Sequence, residues 1–291
     1  FLFSFIFESL LSSTSISLLT PDTILKLLTP IGFSLTVLAC IQTFLAFNLP
    51  KLQEKKTILF DVKRYVSLRY LRDNISDIFS NESIYLSIIG LGIFMGINQV
   101  ILAVFGAHIQ AVSQIHNTII SQGILALAGV GIILGSIVSG KVSKTHIELG
   151  LVPIGALGAT VILGLIPLSS HIMVIAALST SFGFFGGLFI IPLQALIQFN
   201  APQQKLGLIL AGSNFIQKFI MLLFLSLTIF ISIYDVSSFQ LFYILMVIGI
   251  FGSLYTVLKL PQTLVRMIFK IVSKYHYIIK VYGLDHIPAE K

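Results

Sequence analysis

The chain has 291 residues, of which 56% are apolar and 10% charged, and a formal net charge of +7. A soluble domain carries roughly 25% charged residues, so a soluble globular protein is excluded. Cys40 is the single cysteine and sits in an apolar run, which excludes an internal disulfide and a cysteine-based metal site; nothing calls for a cofactor.

Residues 1–7 are apolar but too short to span a bilayer, and 8–29 are rich in Ser and Thr, with Pro21 and Pro30 as breakers. The opening residues read as the end of a helix rather than a signal peptide, because no basic segment or small-residue cleavage site is present. The chain is therefore expected to be a segment of a longer polypeptide. Residues 30–49 form a first span.

A basic loop follows at 51–83, carrying Lys51, Lys55, Lys56, Lys63, Arg64, Arg69 and Arg72. Within it Phe60, Leu68, Leu71, Ile75 and Ile78 recur near helical spacing. This predicts an amphipathic helix, either lying on an anionic membrane surface or serving as a solvated linker.

Six further spans are predicted at 84–108, 118–140, 149–168, 172–198, 206–232 and 239–259. Their apolar runs continue for twenty or more residues without the alternation of barrel strands, so they read as helices. The fold class expected is an all-α polytopic membrane protein. Beyond Leu260-Pro261, Thr263 to Lys280 reads as a second basic amphipathic helix, with Leu264, Ile268, Val272 and Tyr275 apolar and Arg266, Lys270 and Lys274 between them. Residues 278–288 read as a strand with glycine and proline turns, the entry to a soluble domain.

Charge placement sets the orientation. With 51–83 cytoplasmic, sixteen of the eighteen Lys and Arg residues fall on the cytoplasmic side, leaving Lys26 outside and Lys218 within the membrane. Basic residues beside hydrophobic spans are a topogenic pattern, so no nucleic-acid partner is expected.

A long basic loop before six closely linked spans is the layout of the second half of a twelve-helix major facilitator transporter, in which two six-helix bundles flank a midplane site. The domains expected are 1–50 as the end of the N-terminal half, 51–83 as the central loop, 84–260 as the C-terminal six-helix half, and 261–291 as the start of a cytoplasmic domain.

The spans at 149–168 and 239–259 hold almost nothing that binds a head group, and the other four carry the polar residues. In a facilitator half the third and sixth helices are outer and the others line the cavity, which fits this asymmetry. Asn98 and Gln99 lie mid-span, as head-group contacts or as an interhelical hydrogen bond. Asn214 and Lys218 are four apart on one helical face continued by Gly207, Ala211 and Met221, with Gln217 beside it. A lysine in mid-membrane costs about 2.5–3.5 kcal/mol, so this stripe is expected to face a wet cavity; snorkelling is the weaker alternative for a lysine so far from the span ends.

Gly183 and Gly187 form a G-x-x-x-G pair suited to close helix contact, and Pro192 is expected to kink its helix, as packing or as a gate. Glu148 lies near Lys141 and Lys144, where it stabilises the loop or acts in a gate. His108, His116, His146 and His171 have no metal-site spacing. No Asp or Glu lies deep in the six spans, which favours movement down a gradient over proton coupling.

Three segments carry a resemblance: Gly186-Gly-Leu-Phe-Ile-Ile-Pro-Leu-Gln-Ala-Leu-Ile-Gln198, Glu148-Leu-Gly-Leu-Val-Pro-Ile-Gly155 and Ala211-Gly-Ser-Asn-Phe-Ile-Gln217. They resemble the bacterial lysophospholipid transporter branch of the major facilitator superfamily over about 30–260. Lys218 departs from the Asn-like residue that follows Gln in relatives. Tyr275 to Pro288 resembles the opening of a glycerolipid acyltransferase domain, in which a histidine followed four residues later by an aspartate carries acyl transfer. The chain contains no such motif.

The resemblance implies a transporter in the bacterial inner membrane, bathed by membrane lipids and fused to an acyltransferase and an acyl-carrier-protein ligase. It would flip lysophosphatidylethanolamine to the cytoplasmic leaflet for reacylation. The phosphate could pair with Lys218. Two other readings remain at this point: a membrane anchor for the acyltransferase, or a facilitator for another amphiphile.

Overall fold

The computed structural model describes residues 21–48, 62–63, 67, 69–113, 118–144 and 146–276. The described residues form helices and connecting turns, with no strand among them. We number the helices α1 (Pro21–Phe47), α2 (Arg69–Phe79), α3 (Glu82–Ser113), α4 (Thr118–Val142), α5 (Leu151–Leu165, extended by a 3-10 turn at Ile166–Leu168), α6 (Ile172–Asn200), α7 (Leu206–Ser232), α8 (Ser238–Lys259) and α9 (Pro261–His276).

Helices α3 to α8 are long and apolar enough to cross a bilayer, so the chain is a multi-pass membrane protein. Their limits fall within a few residues of the predicted spans, because short polar or proline-bearing links end each apolar run. The described apolar part of α1, Gly32–Phe47, is shorter than these six. Pro30 does not break the chain as expected: it lies inside α1, which continues through it. The strand and turns expected at 278–288, the segment 1–7, and Phe60 and Leu68 lie outside the described residues.

The spans pack in a pattern that survives exchange of the first three for the last three. α4 packs on α6 as α7 packs on α3; α5 meets α6 as α8 meets α3; α5 packs on α8, and α3 on α6. The partners in this exchange cross the membrane in opposite directions, since three spans separate them. At the centre, the Phe94 ring of α3 sits against Gly186 of α6, stacks on Phe182 at 5.9 Å and lies tilted against Phe189 at 5.4 Å.

Glycines set the close contacts. A Cβ on Gly131, Gly135, Gly183 or Gly187 would run into the backbone of the facing helix, so α4 and α6 meet backbone to backbone. In the other seam, Gly92 of α3 receives Ile220 of α7 and Gly96 receives Phe224.

α4 and α7 are the least enclosed spans: 6% of the central part of α7 is buried, against 56% for α5. α5 is packed against α6 and α8 and covered at one end by α9. The faces left open belong to the second and fifth spans.

One end of the bundle is basic and clasped by ion pairs. Lys205, before α7, reaches Asp77 of α2 at 2.7 Å, and Lys259, ending α8, reaches Glu82 at the start of α3 at 2.7 Å. Asn74 and Ile78 of α2 are buried against the start of α7, where the Asn74 amide donates to the Leu208 carbonyl at 2.9 Å. The amphipathic helix of the central loop is thus partly docked on the bundle.

Candidate functional site

The contacts of α3 with α7 fix the relative depth of the predicted binding residues. Gly92 opposes Ile220 and Gly96 opposes Phe224, so the parallel helices run in a constant register. Lys218 is then level with Gly90 and Asn214 with Leu86, whereas Asn98 and Gln99 are level with Ser226 and Leu227. Eight residues of helix separate the two levels, about 12 Å. The five residues form two polar levels rather than one cluster.

Asn214 and Lys218 are exposed on the side of α7 away from α3. Lys218 lies about 18 Å along α7 from Leu206. Gln217 instead faces inward and is buried, its amide donating to the Ser213 hydroxyl at 2.8 Å on the preceding turn. Asn98 and Gln99 are half-buried, and the Asn98 amide donates to the Phe94 carbonyl of its own helix at 3.0 Å.

Gly183 and Gly187 lie in the α4–α6 seam, and Pro192 is buried inside α6, which continues unbroken through it. Glu148 is buried to 1% side-chain exposure. Its carboxylate accepts from the Arg266 guanidinium of α9 at 3.0 Å and pairs with His146 Nε2 at 2.9 Å. A buried carboxylate needs such partners, because an uncompensated charge there is strongly unfavourable. Glu148 therefore ties α9 to the loop before α5, a role sequence proximity to Lys141 and Lys144 did not reveal.

Helix α9 docks through Met267, which is buried beside Leu151 and Leu188, while Gly150 lies under Met267 and the Thr263 carbonyl. Ile268 and Val272 of the predicted apolar stripe are exposed, together with Val265 and Phe269. The docked face is the one bearing Thr263, Arg266 and Met267, which leaves an apolar stripe facing outward.

A slot of about 370 Å³ lies between α3, α5, α6 and α8. It follows α3 from Glu82 to Ile97, about 22 Å at helical rise, and follows α8 from Ile248 to Leu260. Gly90, Ala156, Ala159, Gly249 and Gly252 make room for it. Its Ser87, Thr160 and Ser253 hydroxyls each donate to a carbonyl of their own helix, at 2.6, 2.8 and 3.0 Å, so the wall offers few free donors. The Glu82–Lys259 pair and Tyr255 stand at its basic end. None of the predicted binding residues lines it. Small residues on α3, α5 and α8 were its only trace in sequence, and they read equally as packing.

His108 is buried near the other end. Its ring lies 4.9 Å from Phe239 and 4.7 Å from Phe242, and Nδ1 is 3.4 Å from the Ser238 hydroxyl. The described residues hold no group of three His, Cys, Asp or Glu side chains able to bind a metal ion.

Comparison with protein-family models, with curated proteins and with solved structures gives no match.

Proposed function

We propose that this chain is the C-terminal half of a transporter of the major facilitator type, moving lysophospholipid, chiefly lysophosphatidylethanolamine, across the bacterial inner membrane for reacylation. The observation that carries the transport reading is Lys218 on the open face of α7. A cation there is costly against lipid, by about 2.5–3.5 kcal/mol, and inexpensive against a wet cavity. A second bundle seated on the open faces of α4 and α7 supplies such a cavity. The packing of α3 to α8, unchanged when its two sets of three spans are exchanged, supports this reading, because inverted three-helix repeats build each half of a facilitator.

The substrate class rests on the resemblance of the Gly186–Gln198, Glu148–Gly155 and Ala211–Gln217 segments. Physical chemistry is compatible with it. A zwitterionic head group needs polar surroundings, its phosphate pairs with Lys218, and Asn98 and Gln99 offer a second polar level deeper in the membrane. With the basic residues on the cytoplasmic side, α9 and an acyltransferase domain following it would lie where the delivered lipid is reacylated.

Uptake of lysophosphatidylethanolamine into spheroplasts tests the reading, with the full-length polypeptide and its Lys218→Ala variant. Uptake by the native protein and a drop of at least about tenfold in the variant are expected. Normal uptake by the variant removes the role of Lys218, and no uptake by the native protein removes the substrate.

A further inference from the structure

We propose that the slot between α3, α5, α6 and α8 is a binding site for the single acyl chain of a zwitterionic membrane amphiphile, whose head group rests on Glu82 and Lys259. The site is separate from the polar face of α7 and does not rest on the transport reading.

Three observations define the occupant. The first is shape. At about 22 Å the slot is longer than one leaflet of the hydrocarbon core, about 15 Å, yet its volume of about 370 Å³ is near the lower end for ligand pockets. A long space of this volume suits one chain better than two. The second is polarity. The hydroxyls of Ser87, Thr160 and Ser253 donate to carbonyls of their own helices, so along this mostly apolar wall a polar ligand would find few donors, whereas a hydrocarbon chain needs none.

The third is the charge at the mouth. Glu82 and Lys259 are opposite charges 2.7 Å apart, both side chains about half exposed, so each keeps capacity for a further partner. Lysine takes a phosphate as a point charge and the carboxylate takes an ammonium group, which is the complement of a phosphoethanolamine-type head. A free fatty acid would satisfy only the lysine. The mouth lies at the basic end, level with the head groups of the adjacent leaflet, so the chain enters from that leaflet.

Gly252 provides the means to close the site. It lines the slot, and a Cβ placed there meets nothing within 4 Å, so a side chain can be added at that point without a clash at its first carbon. The test uses the full-length polypeptide in lipid nanodiscs and a one-chain phosphoethanolamine lipid carrying a photoactivatable diazirine near the end of its chain. Labelled residues are mapped by mass spectrometry.

Labelling is expected on the slot walls near Ile97, Leu163 and Phe182. An excess of unlabelled one-chain lipid displaces it and two-chain lipid does not. Gly252→Leu reduces slot labelling by about tenfold while Gly252→Ala retains it. The same chain with a carboxylate head labels the slot more weakly; Lys259→Gln abolishes that preference, and the paired reversal Glu82→Lys with Lys259→Glu keeps it. Slot labelling persists in Lys218→Ala, which separates this site from the transport reading. Labelling confined to outward faces of the native protein, equal displacement by one-chain and two-chain lipids, or slot labelling indifferent to Gly252→Leu overturns the proposal. Equal labelling by both head groups overturns the role of the ion pair.

Discussion

The seam between α4 and α6 and the seam between α3 and α7 occupy equivalent places in the bundle, yet they are built differently. In the first, four glycines on two helices let backbone lie on backbone. In the second, Gly92 and Gly96 on one helix act as sockets for Ile220 and Phe224 on the other. Lipid tails are as apolar as leucine, so neither seam is held by hydrophobic exclusion; both depend on the quality of the fit. A backbone-to-backbone seam has no side chain that can move aside. A socketed seam has a flexible part, and it is the one beside the polar face of α7. The rigid pair frames the bundle, and the adjustable pair carries the residues proposed to meet the substrate.

The largest effect is expected from Gly183→Leu. Its Cβ would fall on the Ala128 carbonyl, so the two helices must part, at a cost of about 3 kcal/mol or more. Thermal unfolding in detergent should show a large drop in midpoint or no folded protein. A small drop would mean that this seam is as adjustable as the other.

Gly96→Ala should be milder, about 1–2 kcal/mol, because the clash is with the Phe224 ring, 2.7 Å away, which can rotate or shift. Adding Phe224→Leu should recover part of the loss in a double-mutant cycle, which no comparable change can do for Gly183. Additive losses would refute the socket description.

Glu148→Gln should leave both seams intact and loosen only α9. Arg266 is more than half exposed, so its freed charge is solvated and the loss is about 1 kcal/mol. Hydrogen exchange should rise across 261–276 and stay low along α4 and α6. Protection lost throughout the bundle would make Glu148 part of the frame rather than a latch for α9.

Element limits were legible in the sequence because long apolar runs and short polar links are local signals. The depth of the membrane lysine was legible for the same reason. Placement about the helix axis was less so. Gln217 and Lys218 are neighbours, and only the Gly92–Ile220 and Gly96–Phe224 contacts decide that one is buried and the other open. The distance between the Asn98 level and the Lys218 level depends on interhelical register, which no single helix encodes. The Arg266 partner of Glu148 was not legible because it comes from 118 residues later. The slot was missed because a gap is defined by four helices at once.

The three clasps Asp77–Lys205, Glu82–Lys259 and Glu148–Arg266 share one further property: all stand at the same end of the bundle. The opposite end carries His108 packed on Phe239 and Phe242. Mobile ions and charged lipid heads therefore act on the two ends unequally. At physiological ionic strength the screening length is about 8 Å, and raising the salt shortens it further. Added salt weakens the clasped end more than the end packed around His108, so the molecule behaves as a bundle with an electrically tunable collar at one end.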